Sequence, residues 1–183
     1  MKRNAWWWLF AILQFGVVGW MIWRYQRIQT TGTVHRFLLE PVDPADPFRG
    51  RYLQLSFEAD EVALCPFNGQ NPDRLYLSLD KDSLGFVRFA KADKEAPASG
   101  EYLLADVADV YGSENGCATA RLNFPFDRWY MNEQLAPKAE KEVAAALTRA
   151  GTRCWLAVRI RDGKAVAEQL YINDTAIADW LPR

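Results

Sequence analysis

Hydrophobic positions run unbroken at the start of the chain and alternate afterwards. Residues 5–23 carry no charge, and Arg24 and Arg27 follow directly. Rising about 1.5 Å per residue, an α-helix of that length covers roughly the ~30 Å hydrocarbon layer of a bilayer. Trp6, Trp7 and Trp8 near one end, with Trp20, Trp23 and Tyr25 near the other, stand where aromatic belts form at the water boundaries. Gln14 is the one polar side chain near the middle, open to a helix-pairing role or to plain tolerance at that depth. Beyond the apolar run the period drops to two. Residues 30–40 predict a strand with Thr33, His35, Phe37 and Leu39 on one side, and a second strand starts at Gly50, with Leu53, Leu55 and Phe57 facing one way and Tyr52, Gln54 and Ser56 the other. Between them Pro41, Pro44 and Pro47 fix φ, and Asp43 and Asp46 close turns, which predicts a stiff corner.

Further along, residues 58–73 predict a loop, broken hardest at Asn68-Gly69-Gln70-Asn71-Pro72. Leu75, Leu77 and Leu79 alternate with Tyr76 and Ser78, and Asp80-Lys81-Asp82 turns the chain into residues 84–90, a hairpin. Residues 91–100 are polar and predict a surface loop. Strands over 102–111 and 118–124 are separated by Gly112 to Gly116, where Asn115-Gly116 is the hairpin dipeptide, and strands over 153–161 and 165–173 are joined through Asp162-Gly163. Pro137 suits a first helical turn, Ala139, Val143, Ala146, Leu147 and Ala150 recur at helical spacing and Gly151 stops the run, which predicts one soluble helix. The fold class is α+β and β-dominated: one N-terminal transmembrane helix (1–29 with its short flanks), then a mostly antiparallel β domain with one soluble helix (30–183).

Composition sharpens this division. The chain has 22 basic and 23 acidic residues, yet Lys2, Arg3, Arg24 and Arg27 all fall within residues 1–27, where no acid occurs. The remaining domain is therefore mildly acidic, about -5, which argues against nucleic acid as a partner because phosphate binding needs a basic surface. Cys65, Cys117 and Cys154 form no CxxC pair, and His35 is the single histidine, so no metal or other cofactor is implied. An extracytoplasmic domain would allow one disulfide and one free thiol; small core residues are the preferred reading of all three cysteines. For His35 the preferred reading is an exposed or locally bonded strand histidine rather than a catalytic one.

A cleaved signal peptide competes with an uncleaved anchor at the N-terminus. The apolar run exceeds a signal-peptide core, and Arg24-Tyr25-Gln26-Arg27 follows it in place of a small-x-small site, so the anchor is favoured. Basic residues nearly balance across the helix and leave its orientation open.

The run Gly50-Arg51-Tyr52-Leu53-Gln54-Leu55-Ser56-Phe57, preceded by Pro41-Val42-Asp43-Pro44, resembles the signature of the GDYXXLXY family, bacterial membrane-anchored proteins of unassigned function. Arg128-Trp129-Tyr130-Met131-Asn132-Glu133 with Glu140 resembles that family's aromatic and glutamate segment, and the stretch from Arg161 to Asp174 resembles its closing hairpin. Arg51 stands where the family has Asp, and Phe57 where it has Tyr. The resemblance implies a cytoplasmic N-terminus, an extracytoplasmic domain on the bacterial inner membrane, and company with multi-span membrane proteins.

Arg49, Gly50 and Tyr52 from the corner, with Arg128, Tyr130, Glu133 and Glu140, form the sharpest constellation. The arginines could fork carboxylates beside a tyrosine hydroxyl as a binding site. Alternatively Arg49 or Arg128 pairs with Asp43, Asp46 or Glu133 in a structural clasp, the preferred reading. Catalysis is disfavoured. None of Ser56, Ser78, Ser83, Ser99 and Ser113 lies in the Ser-Met-x-Pro context of a signal-peptidase-like Ser/Lys enzyme, and Asp43 and Asp46 are turn formers before they are paired acids. The expected function is that of a membrane-anchored binding or accessory protein with a membrane-protein partner. An envelope glycan or peptide ligand is the alternative.

Overall fold

In the computed structural model, which describes residues 2–41, 52–132 and 134–180, the chain opens with a 30-residue helix, α1 (Lys2–Thr31). The helix outlasts the uncharged run and takes in Thr30 and Thr31, expected to open a strand, whose hydroxyls turn back onto helix carbonyls: Thr30 Oγ1 donates to Gln26 O at 3.0 Å and Thr31 Oγ1 to Arg27 O at 2.6 Å. Gly32 alone separates the helix from β1 (Thr33–Glu40). A Cβ there would lie 2.6 Å from Ile28 O and 2.8 Å from Arg159 Cγ, so only glycine fits.

After β1 come β2 (Tyr52–Gln54), β3 (Ser56–Phe57), β4 (Glu61–Leu64), β5 (Arg74–Lys81), β6 (Val87–Asp93), β7 (Tyr102–Glu114), β8 (Cys117–Asn123) and β9 (Arg128–Tyr130). Then follow α2 (Ala136–Thr148), β10 (Cys154–Arg161), β11 (Lys164–Ile172), β12 (Thr175–Ala176) and α3 (Ile177–Trp180). One five-stranded sheet has the order β12-β11-β10-β1-β3 and the other β4-β8-β7-β5-β6, with β2-β9 as a separate pair. Every ladder between named strands is antiparallel. Strand outweighs helix, 46% against 27%, which with the antiparallel pairing makes the class α+β.

Both sheets turn their apolar faces into one core. Phe37, Leu77, Leu103, Leu156 and Leu170 are fully sealed, and α2 closes over them with Ala139, Val143 and Ala146. Phe37 sits at the centre of an aromatic cluster, its ring 5.8 Å from Phe57, 5.9 Å from Phe124 and 4.9 Å from Phe126. Two isolated bridges, Arg36 with Phe86 and Leu103 with Gly163, stitch one sheet to the other.

Most expected strands, the soluble helix and the turns at Asn115-Gly116 and Asp162-Gly163 are present, and Leu53, Leu55 and Phe57 are buried as the alternation requires. The strand that carries them is split: Leu55 N donates to Asp127 O at 2.7 Å, so β2 pairs with β9 while β3 pairs with β1. Residues 58–73 are not all loop, because Val62 and Leu64 insert into the core as β4. Strand β6 runs through Asp93 into the expected surface loop. His35 is neither exposed nor locally bonded. It shares the inward face of β1 with Phe37 and is only 2% exposed. Only Cys154 is the small core residue expected; Cys65 and Cys117 form a disulfide. The corner itself, with Asp43, Asp46, Arg49, Gly50 and Arg51, lies outside the described residues, as does Glu133.

Candidate functional site

Strands β2 and β9 pair outside the two five-stranded sheets, and their register fixes what they present. Tyr52 stands opposite Tyr130, Leu53 opposite Trp129 and Gln54 opposite Arg128. With a two-residue side-chain period, Leu53 and Trp129 face the core while Tyr52, Gln54, Arg128 and Tyr130 share the outer face. The Tyr52 and Tyr130 rings lie 5.8 Å apart, and the Arg128 guanidinium sits 5.3 Å from the centre of the Tyr52 ring. Arg128 is held in its charged form first by the Tyr130 side chain, then by Asp127 and Tyr52. Its nearest described carboxylate, Asp127 Oδ1, stands off at 3.9 Å.

The structure thus brings together three expected site residues, Tyr52, Arg128 and Tyr130. Glu140 does not join them: it lies on the exposed face of α2 and makes no hydrogen bond or ion pair among the described residues. Tyr130 is 68% exposed, a large aromatic surface left in water beside a cation. Such a face offers stacking and hydrogen bonding.

Two features went unseen in the sequence. Arg36, Trp155 and Tyr171 form a second ladder across β1, β10 and β11, with Trp155 and Tyr171 stacked at 4.1 Å and Arg36 4.9 Å above the indole. Counting back from the Asp162-Gly163 turn would put Trp155 opposite Leu170, but a bulge at Ala157/Val158 moves its partner to Tyr171. The other is the environment of His35. Its Nε2 lies 3.0 Å from Glu101 Oε2, near enough for an ion pair but not aligned as a hydrogen bond, and Nδ1 meets no acceptor among the described residues. Burial lowers the imidazole below its ordinary range; Glu101 opposes that shift and Lys81 adds to it.

Residues 14–170 match the family described as GDYXXLXY protein. No curated protein and no solved structure matches the chain. Phe57, which replaces the tyrosine of that family's signature, is sealed among Phe37, Phe124 and Phe126, where a hydroxyl would need a buried partner.

Proposed function

We propose that this chain, which belongs to the GDYXXLXY family, is a single-pass protein of the bacterial inner membrane whose extracytoplasmic β domain docks a neighbouring membrane protein through the Tyr52–Arg128–Tyr130 face. One observation carries the reading. No side chain from Trp6 through Arg27 is buried, so a helix long and apolar enough to cross a bilayer leaves its apolar side chains exposed. The Cys65–Cys117 disulfide favours an oxidising compartment for the domain, hence a cytoplasmic N-terminus. Tyrosine and arginine left exposed side by side are the residue types that anchor protein interfaces, and a tether near the bilayer raises the effective concentration of any neighbour in the same membrane.

The test is extraction of the full chain in mild detergent, beside an Arg128→Ala/Tyr130→Ala variant. A stoichiometric protein retained by the native chain and lost from the variant supports docking. A monomer that carries a glycan or peptide on the tyrosine face would instead establish ligand capture and overturn the docking reading.

A further inference from the structure

Where α1 leaves its uncharged run, it meets the tip of the β10–β11 hairpin. The two enclose a cleft of about 280 Å³ lined by Trp20, Trp23, Arg24, Arg27, Arg161 and Lys164. Four cations face it and one carboxylate does, that of Asp162, whose Oδ2 is 3.3 Å from Arg161 Nε. Arg24, Arg27 and Lys164 make no ion pair among the described residues. Arg161 and Lys164 add their charge to that of the helix end although the domain they come from is acidic as a whole. The guanidiniums of Arg24 and Arg27 lie 5.2 Å and 5.4 Å from the rings of Trp20 and Trp23, which hold them along the helix. Arg161 is fixed to the helix end by a hydrogen bond from Nη1 to Thr31 Oγ1.

We infer that this cleft binds the phosphate of an anionic phospholipid headgroup. The site rests on the membrane-spanning reading of α1. If residues 5–23 fill the hydrocarbon, Arg24 and Arg27 emerge at the depth of the lipid phosphates, and the hairpin brings Arg161 and Lys164 to the same level from the domain side. Guanidinium forks match phosphate oxygens, and the flanking indoles suit the apolar-to-polar boundary at which a headgroup sits. A zwitterionic headgroup has the same phosphate but adds a cation that four basic side chains repel.

The test uses the full chain in nanodiscs and in neutral maltoside detergent, with native mass spectrometry reading the bound molecule. The probes are phosphatidylglycerol, phosphatidylcholine and inorganic phosphate. Phosphatidylglycerol is expected to bind the native chain at least about tenfold tighter than phosphatidylcholine, and an Arg24→Ala/Lys164→Ala variant, which keeps the Arg161 contacts, to lose about thirtyfold. Equal retention of the two lipids by the native chain would overturn the site without reference to any variant. Displacement of the lipid by millimolar inorganic phosphate would assign the cleft to a soluble anion and overturn the lipid source. Recovery of the chain in the aqueous fraction without detergent would sink the membrane reading itself, an outcome distinct from both.

Discussion

Replacing Cys65 and Cys117 together by serine separates the contribution of the disulfide from that of the strands it joins. Leu64 and Ala118 form the last rung of the β4–β8 ladder, and the disulfide lies one step beyond, so the folded chain already holds the two positions together. Cys65 is exposed and Cys117 half-buried, which leaves the new hydroxyls in reach of water. The loss therefore falls on the unfolded state, which regains the freedom of a closed loop. For a sequence separation of 52 the chain-entropy relation gives about 4 kcal/mol at room temperature. With a denaturant slope of roughly 2 kcal/mol per molar urea, the midpoint drops by about 2 M. Cys154 supplies the assay. Burial seals it completely and pushes its thiol up to about 11, so it reacts only when the domain opens. It is the single free thiol in both the oxidised native chain and the double variant, and pulsed thiol labelling across a urea series reads the same site in each. Equal midpoints, or three reactive thiols in the unreduced, denatured native chain, would refute the reasoning.

Acid should destabilise the domain through His35. Because its folded-state value is lowered, the contribution is complete above about pH 6.5 and is lost as pH falls through the folded value, with a slope of at most about 1.4 kcal/mol per pH unit. Burial raises Asp60 and Asp127, whose contributions run the other way as acid is added, so the test is the difference between native chain and His35→Leu in urea midpoints from pH 7.5 to 5: parallel profiles would refute it. Gly163→Val should cost about 2 kcal/mol or more, since φ is +74° and a Cβ would lie 2.6 Å from Tyr102 Cε2; an unchanged midpoint would show that the turn is not the constraint on the hairpin. Phe37→Ala empties the centre of the aromatic cluster and should cost about 3 to 5 kcal/mol by the same labelling assay, with a loss under 1 contradicting the central packing role.

The fold was legible wherever its cause is local. Alternation marked the inward faces of β1 and β5, and two dipeptides, Asn115-Gly116 and Asp162-Gly163, marked hairpins because each supplies positive φ at both positions. Elements determined by distant partners were hidden. Strand β9 has three residues and exists because β2 lies beside it; β4 has four, two of which are inward apolar side chains within a polar stretch. The burial of His35 follows from its place on the Phe37 face, but a histidine in a strand carries no mark of which side water takes. In the candidate site, Tyr52 and Arg128 were named from motifs, and their contact depends on a register that no local pattern encodes.

The junction between helix and domain bears on function through its lack of slack. Gly32 is the only residue between α1 and β1, its carbonyl accepts from Arg159 Nη1 at 3.0 Å, and Nη2 of the same guanidinium donates to both carboxylate oxygens of Glu168, at 2.9 Å and 3.0 Å. A flexible tether would let the domain tumble and would leave the height of any one face above the bilayer undefined. If α1 spans the bilayer as proposed, the sheet continues the rod and the tilt of α1 sets where Tyr130 stands. A ligand arriving from solution gains nothing from that constraint, because it can approach a tumbling domain from any side. A neighbour confined to the same membrane gains from it directly, since its own matching surface also stands at a fixed height. Under the docking proposal, the short exit from the helix is the feature that suits a partner sharing the bilayer better than a ligand that diffuses to it.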